Sequence, residues 1–203
     1  WTYGLWPHAS WLGDVALSDS LSVNRYQITN IGDSLEIGTF CHENGHMMCG
    51  YPDEYDYGGD SIGGSGMFSL MAYGNSGGGG GNPTQIDAYL KAASGWATIT
   101  DVDNSMNMNA ELVAPKGTAG FNHFYRYKKP DTSTEYFLFE NRQQSGRDAD
   151  IPGSGIAVWH IDELGDKDNQ NLEYNTTHDN YEITLVQADN LWHFEKKENY
   201  GDA

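Results

Sequence analysis

Two histidines and a glutamate occupy positions 42 to 46, in the order His-Glu-Asn-Gly-His. If this stretch is helical, residues four apart lie on one face, so His42 and His46 can present ring nitrogens to one tetrahedral zinc ion. Glu43 lies one step round the helix, where its carboxylate can accept a proton from a water at the metal. The spacing therefore predicts a hydrolytic zinc site rather than a chance pair of surface histidines.

A catalytic zinc needs a third protein ligand, which leaves one position open for water or substrate. Gly50 allows the chain to reverse direction after the helix, and acidic residues follow at once. Asp53 is the first that can turn back towards the metal, and Glu54 and Asp56 are its rivals. The residues themselves favour Asp53 and leave the other two open.

Met71 lies in a short apolar segment downstream of these acids. A single methionine most often fills a hydrophobic core. After a zinc-binding helix and its ligand loop, however, a methionine is typical of a Met-turn, which forms an apolar floor below the metal. We therefore expect Met71 to lie beneath the two histidines.

Two helices and a long loop must position these side chains. The first helix is predicted over residues 34–49, with Ser34 as its N-cap. The loop covers residues 50–82, and a loop of this length usually has a function or is held by a ligand. The second helix is predicted over about residues 84–95, opened by Pro83.

Strand-like segments predominate after residue 101 and are separated by turn residues. An earlier strand is predicted at residues 23–29. The later strands are predicted at residues 123–129, 135–143, 155–162 and 181–189. The chain is therefore expected to be helical around the candidate site and rich in strands afterwards.

The chain is strongly acidic, with a net charge of -18 from 29 acidic and 11 basic residues, which argues against nucleic acid as a partner. No apolar run approaches the length of a membrane span. Such acidity suits a solvated surface in salty or extracellular water, or else supplies calcium sites. Glu54, Asp56 and Asp60 alternate with glycine and aromatic residues, so they are candidate calcium ligands.

Three segments together carry a family resemblance. Residues 38–46 read Gly-Thr-Phe-Cys-His-Glu-Asn-Gly-His, residues 50–56 read Gly-Tyr-Pro-Asp-Glu-Tyr-Asp, and residues 66–71 read Gly-Met-Phe-Ser-Leu-Met. This combination resembles the immune inhibitor A family of secreted, metzincin-like zinc metallopeptidases. The similarity extends over nearly the whole chain and includes residues 5–8, 136–143 and 152–162.

The resemblance implies a secreted zinc endopeptidase that is made as a precursor, cleaves proteins or peptides and often carries structural calcium. It implies these roles: zinc ligands His42, His46 and Asp53, general base Glu43, and Met-turn residue Met71. Tyr73 follows that methionine by two residues, and we expect its hydroxyl to steady the oxyanion of the reacting carbonyl. The interval from His46 to Asp53 is one residue longer than in the family pattern.

We expect an α+β fold with a metzincin-like catalytic portion over residues 1–100. A strand-rich, β-sandwich-like region over residues 101–203 should pack on it and be cut short at its C-terminus. The alternative function is a catalytically impaired module that binds cations or adheres to a partner while retaining the peptidase fold. The lengthened ligand turn motivates this alternative, and zinc content with chelator-sensitive hydrolysis would separate the two.

Overall fold

The computed structural model of the chain describes residues 6–30, 33, 36–59, 61–103, 105, 122–132, 134–165, 181–191, 193–194 and 196–198. Within these residues the fold is mixed α+β, with two sheets and few, short helices, which confirms the α+β part of the expectation, whereas the metzincin-like character of residues 1–100 stays a prediction. No helix in this part of the chain combines the length and apolar character needed to cross a membrane.

The first sheet is an antiparallel hairpin of β1 (His8–Ser18) and β2 (Leu21–Ile28). The strand predicted at residues 23–29 is therefore confirmed, whereas β1 was not predicted. Arg25 on β2 links the hairpin to the helical segment at residues 38–49, because its Nη1 donates a hydrogen bond of 2.8 Å to the Met47 carbonyl. The first residues of the hairpin thereby lie beside the candidate site.

The central helix consists of α1 (Gly38–Asn44) and a following π-helical turn, Gly45–Cys49. The predicted start at residue 34 is wrong, because residues 36 and 37 are not helical, and Ser34 lies outside the described residues. The helix begins at Gly38 instead. A close backbone contact requires glycine there, because a Cβ on residue 38 would lie 1.7 Å from the Asn75 carbonyl oxygen. The helix thus begins where it packs against the loop.

A long loop connects this helix to α2 (Ala88–Ala93) and contains the short 3-10 segments Gly66–Phe68 and Tyr73–Gly80. The second helix starts later than the predicted residue 84. Asp87 is its N-cap, and the carboxylate accepts a 2.9 Å hydrogen bond from the Leu90 amide. Pro83 belongs to the loop, so the cap rather than the proline determines where α2 begins.

The second sheet has five strands in sequence order, with β3 and β4 parallel and the other pairs antiparallel. These strands are β3 (Thr98–Val102), β4 (His123–Lys128), β5 (Glu135–Arg142), β6 (Gly155–Asp162) and β7 (Ile183–Leu185). The predicted strands after residue 122 are confirmed, although β7 is shorter than expected, and β3 was not predicted.

The expected β-sandwich is wrong for the described residues, since these strands form a single sheet. Helix α2 packs on the sheet in place of a second sheet, and Ala88 shares a buried cluster with Phe124, Leu138 and Trp159. Alternate side chains of β5 are buried, which is the pattern of a strand with one covered face. The division of the chain at residue 100 stays a prediction, and β3 crosses that position.

Candidate metal centre

Three acceptor atoms converge where α1 meets the loop. His42 Nε2 and His46 Nε2 are 3.1 Å apart. Asp53 Oδ1 lies 2.8 Å from His42 Nε2 and 3.1 Å from His46 Nε2. Among the described residues, these three form the single group of histidine, cysteine or acidic side chains arranged closely enough to share a metal ion. We call this group the histidine cluster.

Backbone carbonyls fix the orientation of both imidazole rings. His42 Nδ1 donates to the Leu70 carbonyl at 2.9 Å, and His46 Nδ1 donates to the Tyr51 carbonyl at 2.6 Å. With the proton on Nδ1, each neutral ring directs the lone pair of Nε2 towards the other members of the cluster. This is the outer hydrogen bonding that orients metal-binding histidines in proteins.

The interval from His46 to Asp53 is one residue longer than in the family pattern. The end of the helix explains how Asp53 nevertheless reaches the histidines. Residues 45–49 form a π-helical turn, which places one more residue in a turn than an α-helix does. Gly50 then adopts a left-handed conformation with φ 70°, and the Tyr51 amide donates to the Gly45 carbonyl at 3.2 Å. The chain therefore reverses immediately after the helix and directs Asp53 towards His46.

The structure brings Asp53 to the histidines and holds its two rivals elsewhere. Glu54 is fully buried, with its carboxylate near Asp87 at the start of α2. Asp56 accepts hydrogen bonds from the Gly58 amide and from the amide and hydroxyl of Ser61, so it stabilises its own loop. Asp60 lies outside the described residues. The loop calcium site predicted from Glu54, Asp56 and Asp60 therefore stays a prediction.

The cluster is electrostatically coupled. Burial opposes the charged form of Asp53, but its close contacts with the rings of His42 and His46, which donate to it when protonated, hold the pKa of its carboxyl well below the usual range. The Tyr57 hydroxyl also donates to Asp53. Burial opposes the charged form of His46 as well, yet the hydrogen bond to Asp53 raises the His46 pKa above its ordinary value. The anionic carboxylate of Asp53 thus favours a positive charge beside it, at the centre of the histidine cluster.

Glu43 lies in the same helical turn as His42 but is not one of the converging acceptors. Its side chain is 6% exposed and borders the cleft described below. Burial raises the pKa of the Glu43 carboxyl, and the neighbouring histidines partly oppose that rise. A carboxylate in this environment is a better proton acceptor than a free one, as a general base requires.

Met71 is fully buried directly against the helix that carries the histidines. A Cβ on Gly45 would lie only 2.6 Å from Met71 Sδ, so glycine at this position allows the methionine to pack closely. Met71 shares its core cluster with Tyr51, Leu70, Ile86 and Leu90. It supports the helix at Gly45, and its role as a Met-turn beneath the two histidines stays a prediction.

A cleft of about 1100 Å³ opens over the histidine cluster. Tyr73 lies on its wall with Glu43, so the structure places this predicted residue at the same cavity. No role was predicted from the sequence for Tyr55, Tyr57 or His8, which also line the cleft. Tyr55 and Tyr57 lie two and four residues after Asp53 in the same loop, and that closeness in sequence was the available signal.

The three residues fit a zinc ion. A tetrahedral zinc with nitrogen and oxygen ligands at about 2.0–2.1 Å separates its ligand atoms by about 3.3 Å. The observed separations of 2.8 to 3.1 Å need adjustments of about 0.2–0.5 Å to reach that value. Two imidazoles and one carboxylate are also a usual ligand set for catalytic zinc, and they leave a fourth position open.

The chain was compared with protein-family models, with curated proteins and with solved structures, and no match was found in any of the three comparisons. The geometry and chemistry of the cleft are therefore the basis for assigning a function.

Proposed function

We propose that the chain is a secreted, zinc-dependent endopeptidase of metzincin-like fold that hydrolyses peptide bonds in proteins. The observation that carries this proposal is the convergence of His42, His46 and Asp53, with both imidazole rings oriented by backbone carbonyls. The resemblance to immune inhibitor A peptidases and the acidic composition support it. Extracellular location is inferred from the same two features.

The ion, held by His42, His46 and Asp53, would polarise the scissile carbonyl and make water more acidic. Glu43 borders the cleft beside these ligands, accepts the proton of the attacking water and then passes it to the leaving amine. Tyr73 lines the same cleft, and its hydroxyl would donate a hydrogen bond to the developing oxyanion. Met71 and Gly45 keep the helix close to its apolar support.

The shape of the cleft suits a polymeric substrate rather than a small enclosed molecule. It is partly open to solvent, and Pro7 and His8, which lead into β1, are among the residues that line it. An extended peptide can pair with an exposed strand by main-chain hydrogen bonds, which accept many sequences. We infer that the substrates are unfolded or flexible protein segments bound in extended form.

The decisive experiment combines metal content with proteolysis. We expect about one zinc per chain and hydrolysis of casein that a zinc chelator stops and added zinc restores. Glu43→Gln should keep the fold and the zinc, because Glu43 is outside the histidine cluster, and should lower the rate by about 10²–10⁴-fold. Near-normal hydrolysis by this variant would rule out the proposed mechanism.

A matched control is Glu198→Gln, which makes the same change at an exposed residue outside the cleft. Its zinc content and casein hydrolysis should equal those of the unmodified chain. The second candidate function, a catalytically impaired cation-binding or adhesive module, is favoured by the lengthened turn between His46 and Asp53. Bound zinc without any chelator-sensitive hydrolysis would support that module, and absence of zinc would refute the zinc endopeptidase.

A further inference from the structure

A second cavity, which we call the tryptophan pocket, lies beside the end of the helical segment that carries the histidines. It has a volume of about 800 Å³ and is bordered by the turn at residues 49–52, by α2, and by Trp96 and Glu182. It shares His46 with the cleft, and its other lining residues are not those of the cleft. Small-molecule sites have volumes of about 300–1,000 Å³. The tryptophan pocket is therefore large enough to hold a ligand of its own.

Two aromatic rings at a right angle form part of the pocket wall. The rings of Tyr51 and Trp96 have centroids 6.4 Å apart and an interplanar angle of 83°. Trp96 is 57% exposed, although its amide donates to the Lys91 carbonyl at 2.9 Å and its carbonyl accepts from the Asn122 side chain at 3.2 Å. Faces of aromatic rings attract organic cations, and rings that meet at an angle bind ammonium groups. An exposed indole on a fixed backbone is thus a surface that such a ligand can cover.

A buried carboxylate gives the pocket a negative wall. Glu182 borders the pocket but is only 2% exposed, and its Oε1 accepts a 2.8 Å hydrogen bond from the hydroxyl of Tyr89, which also borders the pocket. Burial and this hydrogen bond raise the pKa of the Tyr89 hydroxyl well above its ordinary value, so the ring stays neutral and continues to donate. Charges act more strongly where little water surrounds them, so Glu182 should favour a cation in the pocket.

Arg25 also borders the pocket, but its charge is held in other contacts. Its Nη1 donates to the Met47 carbonyl at 2.8 Å, and its guanidinium lies 5.9 Å from the centroid of the Trp11 ring. Arg25 is exposed, and water and salt screen an exposed charge far more than a buried one. The net charge of -18 over the whole chain adds to the attraction of cations. The buried acid therefore determines which charge the pocket prefers.

We propose that the tryptophan pocket binds an alkylammonium group between the rings of Tyr51 and Trp96 and the carboxylate of Glu182. The rings would cover the alkyl part, and the carboxylate would compensate the positive charge. A bare metal ion would leave the indole uncovered, and an anion would be repelled by the buried acid. Two sources supply this chemistry, namely a free organic cation and the lysine side chain of a protein. The site does not depend on the proposed peptidase activity.

Binding can be measured by nuclear magnetic resonance on the whole, isotope-labelled and zinc-loaded chain. The signals to follow are the Trp96 indole N–H, assigned with Trp96→Phe, and the amide of Gly50, which borders the pocket. Choline is compared with neohexyl alcohol, which has the same shape without the charge. We expect choline to shift both signals saturably and to bind about 10-fold more tightly than the alcohol.

A second pair of ligands identifies the source of the ammonium group. N-acetyl-lysine methylamide is compared with its uncharged norleucine counterpart. A preference for the charged member in this pair alone assigns the pocket to a lysine side chain, whereas a preference for choline in the first pair shows that a free organic cation is sufficient. The proposal is overturned if neither charged ligand binds better than its neutral counterpart.

Substitutions in the pocket should remove the preference for the cation. Glu182→Gln keeps an acceptor for the Tyr89 hydroxyl and should lower the affinity for choline by about 10-fold. Trp96→Ala removes an exposed ring without disturbing the core, and the Gly50 amide should report a similar loss. Glu198→Gln, at an exposed acid outside the pocket, should leave the affinity unchanged. Undiminished binding in both Glu182→Gln and Trp96→Ala would also overturn the proposal.

Discussion

Two groups of charged residues in the protein differ in how their charges are balanced. The first is the histidine cluster of His42, His46 and Asp53, which presents three acceptor atoms to the cleft. The second, which we call the sheet cluster, contains two cations and two anions, namely Lys91, Arg142, Glu140 and Asp148. It is closed to solvent and compensates its own charge.

The geometry of the sheet cluster is that of a structural network. Lys91 Nζ lies 2.7 Å from Glu140 Oε1, and Arg142 Nε lies 2.8 Å from Asp148 Oδ2. The Trp159 indole also donates to Glu140 at 3.0 Å. The Lys91–Glu140 pair joins α2 to the sheet, and each of the four charged side chains has an oppositely charged partner within the cluster. The histidine cluster, by contrast, directs three acceptor atoms to one point beside the cleft, which is the arrangement expected of the proposed metal site.

The largest expected effect tests the sheet cluster. Glu140→Gln leaves Lys91 and Arg142 buried without their shared anion, so it should lower the free energy of unfolding by about 3–5 kcal/mol. Urea unfolding measures this change. Glu135→Gln is a control on the same strand, because Glu135 pairs with Lys129 at the surface, and it should cost at most about 1 kcal/mol. Equal losses in the two variants would contradict a special role for the buried network.

The histidine cluster should respond in metal affinity rather than in stability of the metal-free fold. Asp53→Ala removes the carboxylate that contacts both histidines and should weaken zinc binding by more than about 100-fold. Loss of a residue that only hydrogen-bonds to a metal ligand typically costs about 10–100-fold in affinity, so a larger loss indicates a direct ligand. Competition with a chromogenic chelator measures the affinity. Asp56→Ala serves as the comparison, since its carboxylate bonds to its own loop. If Asp56→Ala weakened zinc binding more than Asp53→Ala, the assignment of the third ligand would be wrong.

A smaller effect is expected at Tyr73, which should change rate but not metal binding. Tyr73→Phe removes one hydroxyl from the wall of the cleft and should lower kcat by about 10²-fold if that hydroxyl stabilises the oxyanion. Zinc affinity and melting temperature should remain unchanged. The matched control is Tyr57→Phe, whose hydroxyl bonds to Asp53 instead, and it should alter zinc affinity more than kcat. An unchanged kcat in Tyr73→Phe would refute the proposed role.

The parts of the site that sequence predicted are those encoded by short-range spacing. His42 and His46 share a face because they are four residues apart on a helix, and Gly50 ends that helix because it adopts a positive φ. Apolar segments and alternating apolar and polar residues predicted the strands after residue 122. In β5 the structure shows the matching alternation of buried and partly buried side chains along the whole strand. The position of Met71 after the ligand loop predicted a Met-turn, and that role stays a prediction.

The parts that sequence missed depend on contacts between distant segments. The carbonyls of Leu70 and Tyr51 orient the histidine rings, but backbone groups carry no signature in residue types. The helix starts at Gly38 because the Asn75 backbone passes close to it, which spacing within the helix does not reveal. The sandwich was expected because strand patterns do not show whether a helix or a second sheet covers the inner face.

The smallest expected effect tests the apolar support on which the histidine cluster rests. Gly45→Ala would normally favour a helix, but the new Cβ would lie 2.6 Å from Met71 Sδ and should cost about 1–3 kcal/mol of stability through overpacking. Combining Gly45→Ala with Met71→Ala removes the clash. The double variant should therefore be more stable than the sum of the two separate losses predicts. Strict additivity in urea unfolding would show that Met71 does not support the helix at this position, and the histidine cluster would then depend on its backbone hydrogen bonds alone.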